Sequence, residues 1–417
     1  MVMKAIRGFK DILPGEVEKW QYVESEARRV FGLFGFLELR IPILEKTELF
    51  ARSIGEATDI VGKEMYTFPD RDGDSLTLRP EATTSIMRAY LESGLHVKEP
   101  VGKYYFIGPM FRYERPQKGR YRQFHQIDAE ILGVQEPQPD AELLVMLMRF
   151  LGGLGLKNLN LQINSLGEPA CRGPYRDEIQ KFLRGKKEDL CEDCQRRLET
   201  NPLRVFDCKK EESQAQLSDA PVVLDFLCPD CRRHFEQVKG LLDELRLPYA
   251  VNPRMVRGLD YYTRTAFEVV AGNLGAQNAV CGGGRYDGLA EEIGGPSVPA
   301  IGFAIGVERL VMLLPEEKNY LRYPEVFLAA LGEEAQRKGF ALAQELRDAG
   351  VWVEIDYEGK SLKSQMRKAD RFKTPWVVIL GEEELKKNKA VFRDMATKGQ
   401  EEVPFEEILG KIKGNNQ

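Results

Sequence analysis

The sequence predicts an α+β protein: a mainly antiparallel sheet flanked by helices, interrupted by a mostly helical insertion and followed by a separate α/β module. Three observations predict it. Two β-rich runs, Tyr104–Glu114 and Tyr121–Leu132, flank Arg115-Pro-Gln-Lys-Gly-Arg120, whose proline and glycine suit a tight turn. Residues 166–248 are charged, helical in pattern and hold six of the seven cysteines. Beyond Tyr320-Leu-Arg-Tyr-Pro324 the pattern becomes alternating strand and helix, as in an α/β unit.

In chain order, apolar residues Trp20, Val23, Ala27, Val30, Phe31 and Phe34 recur at three- and four-residue steps, which predicts an amphipathic helix over 18–34. Phe36–Pro42 reads as a strand stopped by proline, and 75–79 as another. Pro80-Glu81 then opens a helix bearing Ile86, Met87 and Tyr90. Within the paired runs, alternation places Arg112 and Glu114 on one face. It places Phe124, Gln126, Asp128 and Glu130 on one face of the partner. After the insertion, β character returns over 257–270, 279–288 is glycine-rich, and 299–314 ends as an apolar helix. The last module reads strand 325–331, helix 333–349, strand 351–355, helix 361–372 and strand 376–380.

Length and composition bound the function. The 417 residues suggest two to four domains at about 100–200 residues each. The balance of 43% hydrophobic and 30% charged residues excludes disorder and collagen. No apolar run approaches the ~18–20 residues that span a bilayer. With no secretory signal in residues 1–14 and an odd cysteine count, a reduced cytoplasmic setting is expected. A net charge of −5 argues against coating nucleic acid through bulk charge, so any such contact must be a local patch.

No standard phosphate loop is present. Gly359-Lys360-Ser361 imitates the end of a P-loop, but Glu354 stands where its first glycine belongs. Arginines offer another route, because a planar guanidinium can grip phosphate oxygens bidentately. Arg112, Arg120 and Arg309 lie in strand, turn or glycine-rich contexts, and the hairpin adds Glu114, Phe124, Gln126 and Glu130 to the same neighbourhood. Arg257-Gly-Leu-Asp-Tyr-Tyr262 combines an arginine, a glycine that permits close backbone approach, and two tyrosines.

These residues resemble a known family over nearly the whole chain. Residues 111–126, Phe-Arg-Tyr-Glu-Arg-Pro-Gln-Lys-Gly-Arg-Tyr-Arg-Gln-Phe-His-Gln, resemble motif 2 of the class II aminoacyl-tRNA synthetases. Gly302-Phe-Ala-Ile-Gly-Val-Glu-Arg309 resembles motif 3, and the segment around Pro42 resembles motif 1, which implies a homodimer. Arg7-Gly-Phe-Lys-Asp-Ile-Leu-Pro14, Arg257–Tyr262 and Gly283-Gly-Arg-Tyr-Asp-Gly288 resemble signatures of the histidyl-tRNA synthetases.

The resemblance implies a class II catalytic domain over 1–323, with the insertion at about 166–248, and an anticodon-binding α/β domain over 324–417. It implies that histidine is activated with ATP, accompanied by Mg²⁺, and transferred to the 3′ end of tRNA(His). Arg112 and Arg257 would be catalytic at the α-phosphate; Arg120 and Arg309 would hold the outer phosphates. Glu114 would read the adenine amino group and Phe124 would stack on the ring. Glu81, Thr83 and Gln126 would receive the histidine ammonium, and Glu130, Tyr262 and Tyr286 its imidazole. The runner-up is a non-catalytic regulatory subunit of ATP phosphoribosyltransferase, similar to the same catalytic domain; the C-terminal module and Arg257 favour the synthetase. One departure stands at Ala82, where the family pattern Arg-Pro-Glu-Gly-Thr has glycine.

Two further expectations concern metal and RNA. Cys191-x-x-Cys194 and Cys228-x-x-Cys231, with Cys208 and His234 nearby, have the pairing of a four-thiolate structural zinc site. Residues 360–373 carry six Lys/Arg and one acid, with Lys363, Arg367 and Arg371 on one helix face. In an anticodon-binding module that face suits RNA phosphates. Gln117, in the motif 2 loop, is placed toward the acceptor end of the tRNA.

Overall fold

The computed structural model describes residues 3–414, apart from 56, 57, 59, 260 and 273–278. The chain divides into two compact units, Met1–Asn319 and Tyr320–Gln417.

The first unit is built on an eight-stranded sheet. Its spatial order is Leu37–Glu38, Gly102–Phe111, Gln123–Leu132, Ala300–Gly306, Ala279–Arg285, Thr263–Ala271, Leu159–Ser165 and Ala250–Val251. All inner neighbours are antiparallel; the two short edge strands join in parallel. Register then sets the working face. Glu130 lies opposite Gly302, which lies opposite Gly284; Asp128 lies opposite Ala304, which lies opposite Gly282 and then Glu268. Charged side chains on the flanking strands therefore look across a middle made of glycine and alanine. Small residues there leave room above the sheet.

The helix Val17–Leu33 buries Trp20, Val23, Ala27, Val30 and Phe31, the face its periodicity predicts. Phe31 meets Phe150 and Phe303 edge-on, tying that helix to Gln138–Gly153 and to the sheet. A three-stranded sheet of Leu44–Lys46, Ser75–Leu78 and Tyr66–Pro69 leads into the helix Thr83–Glu92. The strand expected over Phe36–Pro42 is only Leu37–Glu38. Ala82 precedes the Thr83 helix with φ −99° and ψ −33°, an ordinary right-handed conformation in which a methyl group costs nothing.

The insertion is helical, with long helices Pro169–Arg184 and Pro229–Glu244 joined by short turns and helices over 187–226. The glycine-rich 279–288 is largely the strand Ala279–Arg285, whose glycines let the Arg257 side chain and neighbouring strand backbones approach closely.

The second unit has a five-stranded sheet. Val353–Ile355, Val326–Ala330 and Trp376–Leu380 run parallel, and Lys389–Asp394 and Gln400–Pro404 extend it antiparallel. Helices Glu333–Asp348 and Leu362–Arg371 cover it.

Candidate active site

The Gly102–Phe111 and Gln123–Leu132 strands form the expected hairpin, but the ladder ends at Phe111 opposite Gln123. The Arg112 amide still reaches Arg122 O at 2.9 Å, whereas the Tyr113 amide turns away to Glu64 O at 2.7 Å. Arg112 and Glu114 thus leave from the strand end rather than from within it. The Arg112 Nε donates to Pro80 O at 2.8 Å, and its guanidinium lies 5.2 Å from the Phe124 ring centre. Glu114 is paired with Arg120, whose Nη2 donates to Oε1 at 2.7 Å and whose Nε also contacts the carboxylate.

Above the small-residue middle of the sheet lies a cavity of about 660 Å³, the size of a small-ligand site. Four arginines enter it: Arg112, Arg120, Arg257 and Arg309. Burial, with smaller contributions from the charges of Arg112 and Arg309, holds the Arg120 guanidinium below its ordinary value. Such crowding of cations is what a polyanionic ligand relieves. Arg309 donates to Ala279 O at 2.5 Å. Arg257 is held by Glu268, Nη1 to Oε1 at 3.3 Å, and lies 5.5 Å from the Tyr262 ring centre. Gly282 makes this possible: a Cβ there would sit 2.1 Å from Arg257 Nη2.

Glu81, Thr83, Gln126, Tyr261 and Tyr262 also line the cavity and make part of its wall polar. Glu81 is buried, and its Oε1 accepts from the Thr84 amide at 2.9 Å at the start of the Thr83–Glu92 helix. Burial raises its carboxyl above the ordinary value. Glu130 and Tyr286 lie behind this wall and are fully buried. Glu130 accepts from Thr83 Oγ1 at 2.8 Å and from Tyr286 Oη at 2.5 Å. Burial pushes its carboxyl up to about 8 against those hydrogen bonds. Asp128, one step along the same strand, has no hydrogen-bond partner among the described residues, and burial next to Glu130 and Glu81 pushes it well up.

The Glu130 environment has a measurable consequence. Its carboxyl ionises near 4.5 when unfolded and near 8 when folded, so folding takes up a proton between those values. That contribution to stability is full below the window and is lost as pH rises through 8. Glu130→Gln should reduce the slope of folding free energy against pH between about 5 and 8, read by chemical denaturation. An unchanged slope would show that Glu130 ionises normally in the fold.

The structure thus brings together Glu81, Thr83, Arg112, Glu114, Arg120, Phe124, Gln126, Arg257, Tyr262 and Arg309 around one cavity, with Glu130 and Tyr286 behind it. The sequence assigns no individual site role to Tyr261, Glu268 or Asp128, of which the first two line the cavity. Tyr261 stood inside a quoted signature; Glu268 carried no motif and becomes visible only through register. Asp260 of that signature lies outside the described residues. His125 points away, its Nδ1 3.2 Å from Glu308 and its ring 5.0 Å from Trp20.

The four-thiolate expectation is corrected. Cys191 and Cys194 group with Cys208, and Cys228 and Cys231 group with Cys171, each set with its sulfurs within 4.8 Å of one another. The two Cys-x-x-Cys pairs start different helices and do not converge. Cys171 is part of the second set. His234 is spent on Asp140, Nε2 to Oδ2 at 2.9 Å.

Comparison with known proteins decides the family. The family model for histidyl-tRNA synthetase matches residues 8–310. The chain belongs to the histidyl-tRNA synthetase family. The model for an anticodon binding domain matches residues 325–415. The histidine–tRNA ligase of Geobacter metallireducens is 55% identical over 414 residues, covering 99% of this chain and all of that one. That of Geobacter sulfurreducens is 55% identical over 413 residues, with 99% and 100% covered. The apo crystal structure of Staphylococcus aureus histidyl-tRNA synthetase is 37% identical, with a TM-score of 0.83 over 99% of this chain and 100% of that one. A structure described as an ATP phosphoribosyltransferase regulatory subunit/histidyl-tRNA synthetase from Bacillus halodurans is 19% identical with a TM-score of 0.65, covering 91% of this chain and 99% of that one; it shows the shared fold alone. Members of the histidyl-tRNA synthetase family are class II α+β enzymes, and this chain is one of them. The regulatory-subunit alternative is less supported.

Proposed function

We propose that the cavity bounded by Arg112, Arg257 and Glu81 is where this enzyme activates histidine with ATP before charging tRNA. The observation that carries the reading is the convergence on one cavity of four arginines and the buried polar side chains of Glu81, Thr83 and Gln126. ATP enters as its Mg²⁺ complex. A histidine carboxylate oxygen attacks the α-phosphorus, a new P–O bond forms, and pyrophosphate leaves with the broken bond's electrons. Arg112 and Arg257 flank the α-phosphate and meet the charge that grows there. Arg120 and Arg309 hold the outer phosphates, and Phe124 offers its ring to adenine. Glu114 reads the adenine amino group once ATP phosphates draw Arg120 from its carboxylate. The terminal ribose hydroxyl of tRNA then attacks the acyl carbon and AMP departs.

In the same cavity, Glu81, Thr83 and Gln126 receive the ammonium. Glu130 and Tyr262 receive the imidazole, with Tyr286 acting through its hydrogen bond to Glu130. A pocket that hydrogen-bonds its ligand rejects analogues lacking those groups by ~10⁴–10⁵. Histidine-dependent exchange of pyrophosphate into ATP tests this half-reaction directly.

For the second half-reaction, Lys363, Arg367 and Arg371 are exposed on the Leu362–Arg371 helix, while Ala369 is buried and Leu362 and Met366 pack against the core. They supply an RNA-phosphate face, with Gln117, exposed in the motif 2 loop, toward the acceptor end. Reversing all three charges to Glu should flatten the salt dependence of tRNA binding by about three log units per log unit of salt and leave pyrophosphate exchange intact. An unchanged salt dependence would remove this helix from the interface.

A homodimer is proposed through the motif 1 region, where Leu37, Ile43 and Leu44 are exposed apolar side chains on adjoining segments. A cytoplasmic site of action accords with protein synthesis. No helix among the described residues is long and apolar enough to cross a membrane.

A further inference from the structure

The insertion holds six cysteines in two sets of three, and their arrangement is more ordered than packing requires. Cys191 and Cys228 each stand immediately before a helix, at Glu192–Thr200 and Pro229–Glu244. Cys194 and Cys231 follow in the first turn. A third thiol from elsewhere in the chain, Cys208 or Cys171, completes each set. Helix starts favour thiolate over thiol, because the first-turn amides point at the sulfur.

In the first set the sulfur spacing agrees with metal coordination, and in the second the three sulfurs lie within 4.8 Å of one another. Bonds of about 2.3 Å from zinc to sulfur at the tetrahedral angle place sulfurs about 3.8 Å apart. Cys191 Sγ and Cys208 Sγ are 3.8 Å apart, well beyond the ~2.05 Å of a disulfide. Backbone amides are already aimed at the sulfurs, as they are around bound thiolates. Lys210 N lies 3.5 Å from Cys208 Sγ, Cys231 N 3.5 Å from Cys228 Sγ, and Cys228 N 3.2 Å from Cys171 Sγ.

Each set is also reachable on one side. Cys208 borders the active-site cavity and Cys228 is half-buried, whereas Cys194 and Cys231 are fully enclosed. The chain between the sets is made of short pieces: Lys187–Asp189, Glu192–Thr200, Pro202–Asp207, Glu211–Ala215 and Val223–Phe226. Segments of this kind gain most from a staple, since metal binding free energy becomes folding free energy.

We propose that the insertion binds two zinc ions, one at Cys191, Cys194 and Cys208 and one at Cys171, Cys228 and Cys231, each held by three thiolates with solvent as the fourth ligand. On binding, each ion displaces the thiol protons to solvent, and no oxidant or reductant is involved. The two sites are independent, because no thiol is shared. The first also fixes the cavity wall formed by Phe206, Asp207, Cys208 and Lys209.

The test uses the full-length protein, reduced, incubated with zinc and desalted. Metal analysis should find about two zinc ions per chain, one for each cluster. Cys208→Ala and Cys228→Ala should each retain about one. Cobalt in place of zinc should give intense sulfur-to-cobalt charge transfer and the strong visible bands of four-coordinate cobalt. Wild-type stoichiometry and the cobalt spectrum decide the matter even if a variant fails to fold. The proposal is overturned by metal-free protein, whether all seven thiols titrate in denaturant or some are lost to disulfides. A single ion per wild-type chain, or a weak spectrum of six-coordinate cobalt, overturns it equally.

Discussion

Replacing Arg257 with alanine should lower histidine-dependent pyrophosphate exchange by about 10²–10³, with most of the loss in kcat. That is the scale seen when one electrostatic donor to a transition state is removed. The guanidinium is held in place before any ligand arrives. Glu268 fixes one nitrogen, the Tyr262 ring covers one face, and Gly282 clears the space in which the group sits. An arginine so placed needs no reorganisation when charge develops on the α-phosphate. Its Nε is enclosed and has no hydrogen-bond partner among the described residues. Because the Glu268 side chain is 30% exposed, losing its partner should cost little stability, and circular dichroism should show a folded protein. Exchange at the wild-type rate in Arg257→Ala would take this residue out of the chemistry.

Gly302→Ala should abolish useful histidine activation through a different route. The new Cβ would lie 1.3 Å from Glu130 Oε2 and 2.9 Å from Ala129 O. Glu130 would have to swing away from both Thr83 and Tyr286, taking the imidazole acceptor with it. A displacement of about 1 Å at a positioning group costs on the order of 10² in rate, and overpacking of a buried site adds about 1–3 kcal/mol of instability. The histidine KM should rise while ATP binding is retained. Shortening the acid in the same chain, as Gly302→Ala with Glu130→Asp, should recover part of the loss. The two changes would then be non-additive, as expected of touching residues. Additive losses would mean that Gly302 matters for another reason.

Much of this was legible in the sequence where periodicity or a motif carried it. The helix over Val17–Leu33 and the three parallel strands of the second unit follow directly from apolar spacing. So does the hairpin, although its ends were misplaced. The ladder stops early because Tyr113 gives its amide to Glu64, a long-range partner that no local pattern announces.

Other features depend on the fold. Gln400–Pro404 is a strand whose Gln400, Glu401 and Glu402 are exposed, so it lacks the apolar signal. Gln365 sits on a basic helix yet is buried, holding Ala330 through both its amide groups. The cysteine pairs mislead most. Spacing suggested that two Cys-x-x-Cys units share one centre, but each begins its own helix and finds its third sulfur elsewhere. The glycines of 282–284 are the reverse case. Composition alone assigns them no element, and they form a strand whose missing side chains make room for Arg257 and for the neighbouring Gly302 backbone.

The central claim is that this cavity activates histidine and no other amino acid. Pyrophosphate exchange into ATP should therefore be measured with each standard amino acid in turn. The account predicts exchange with histidine at least ~10⁴-fold above any other, as a hydrogen-bonded pocket allows, and near-complete loss of that signal in Arg257→Ala. Exchange driven by a different amino acid, or none with histidine, would contradict it.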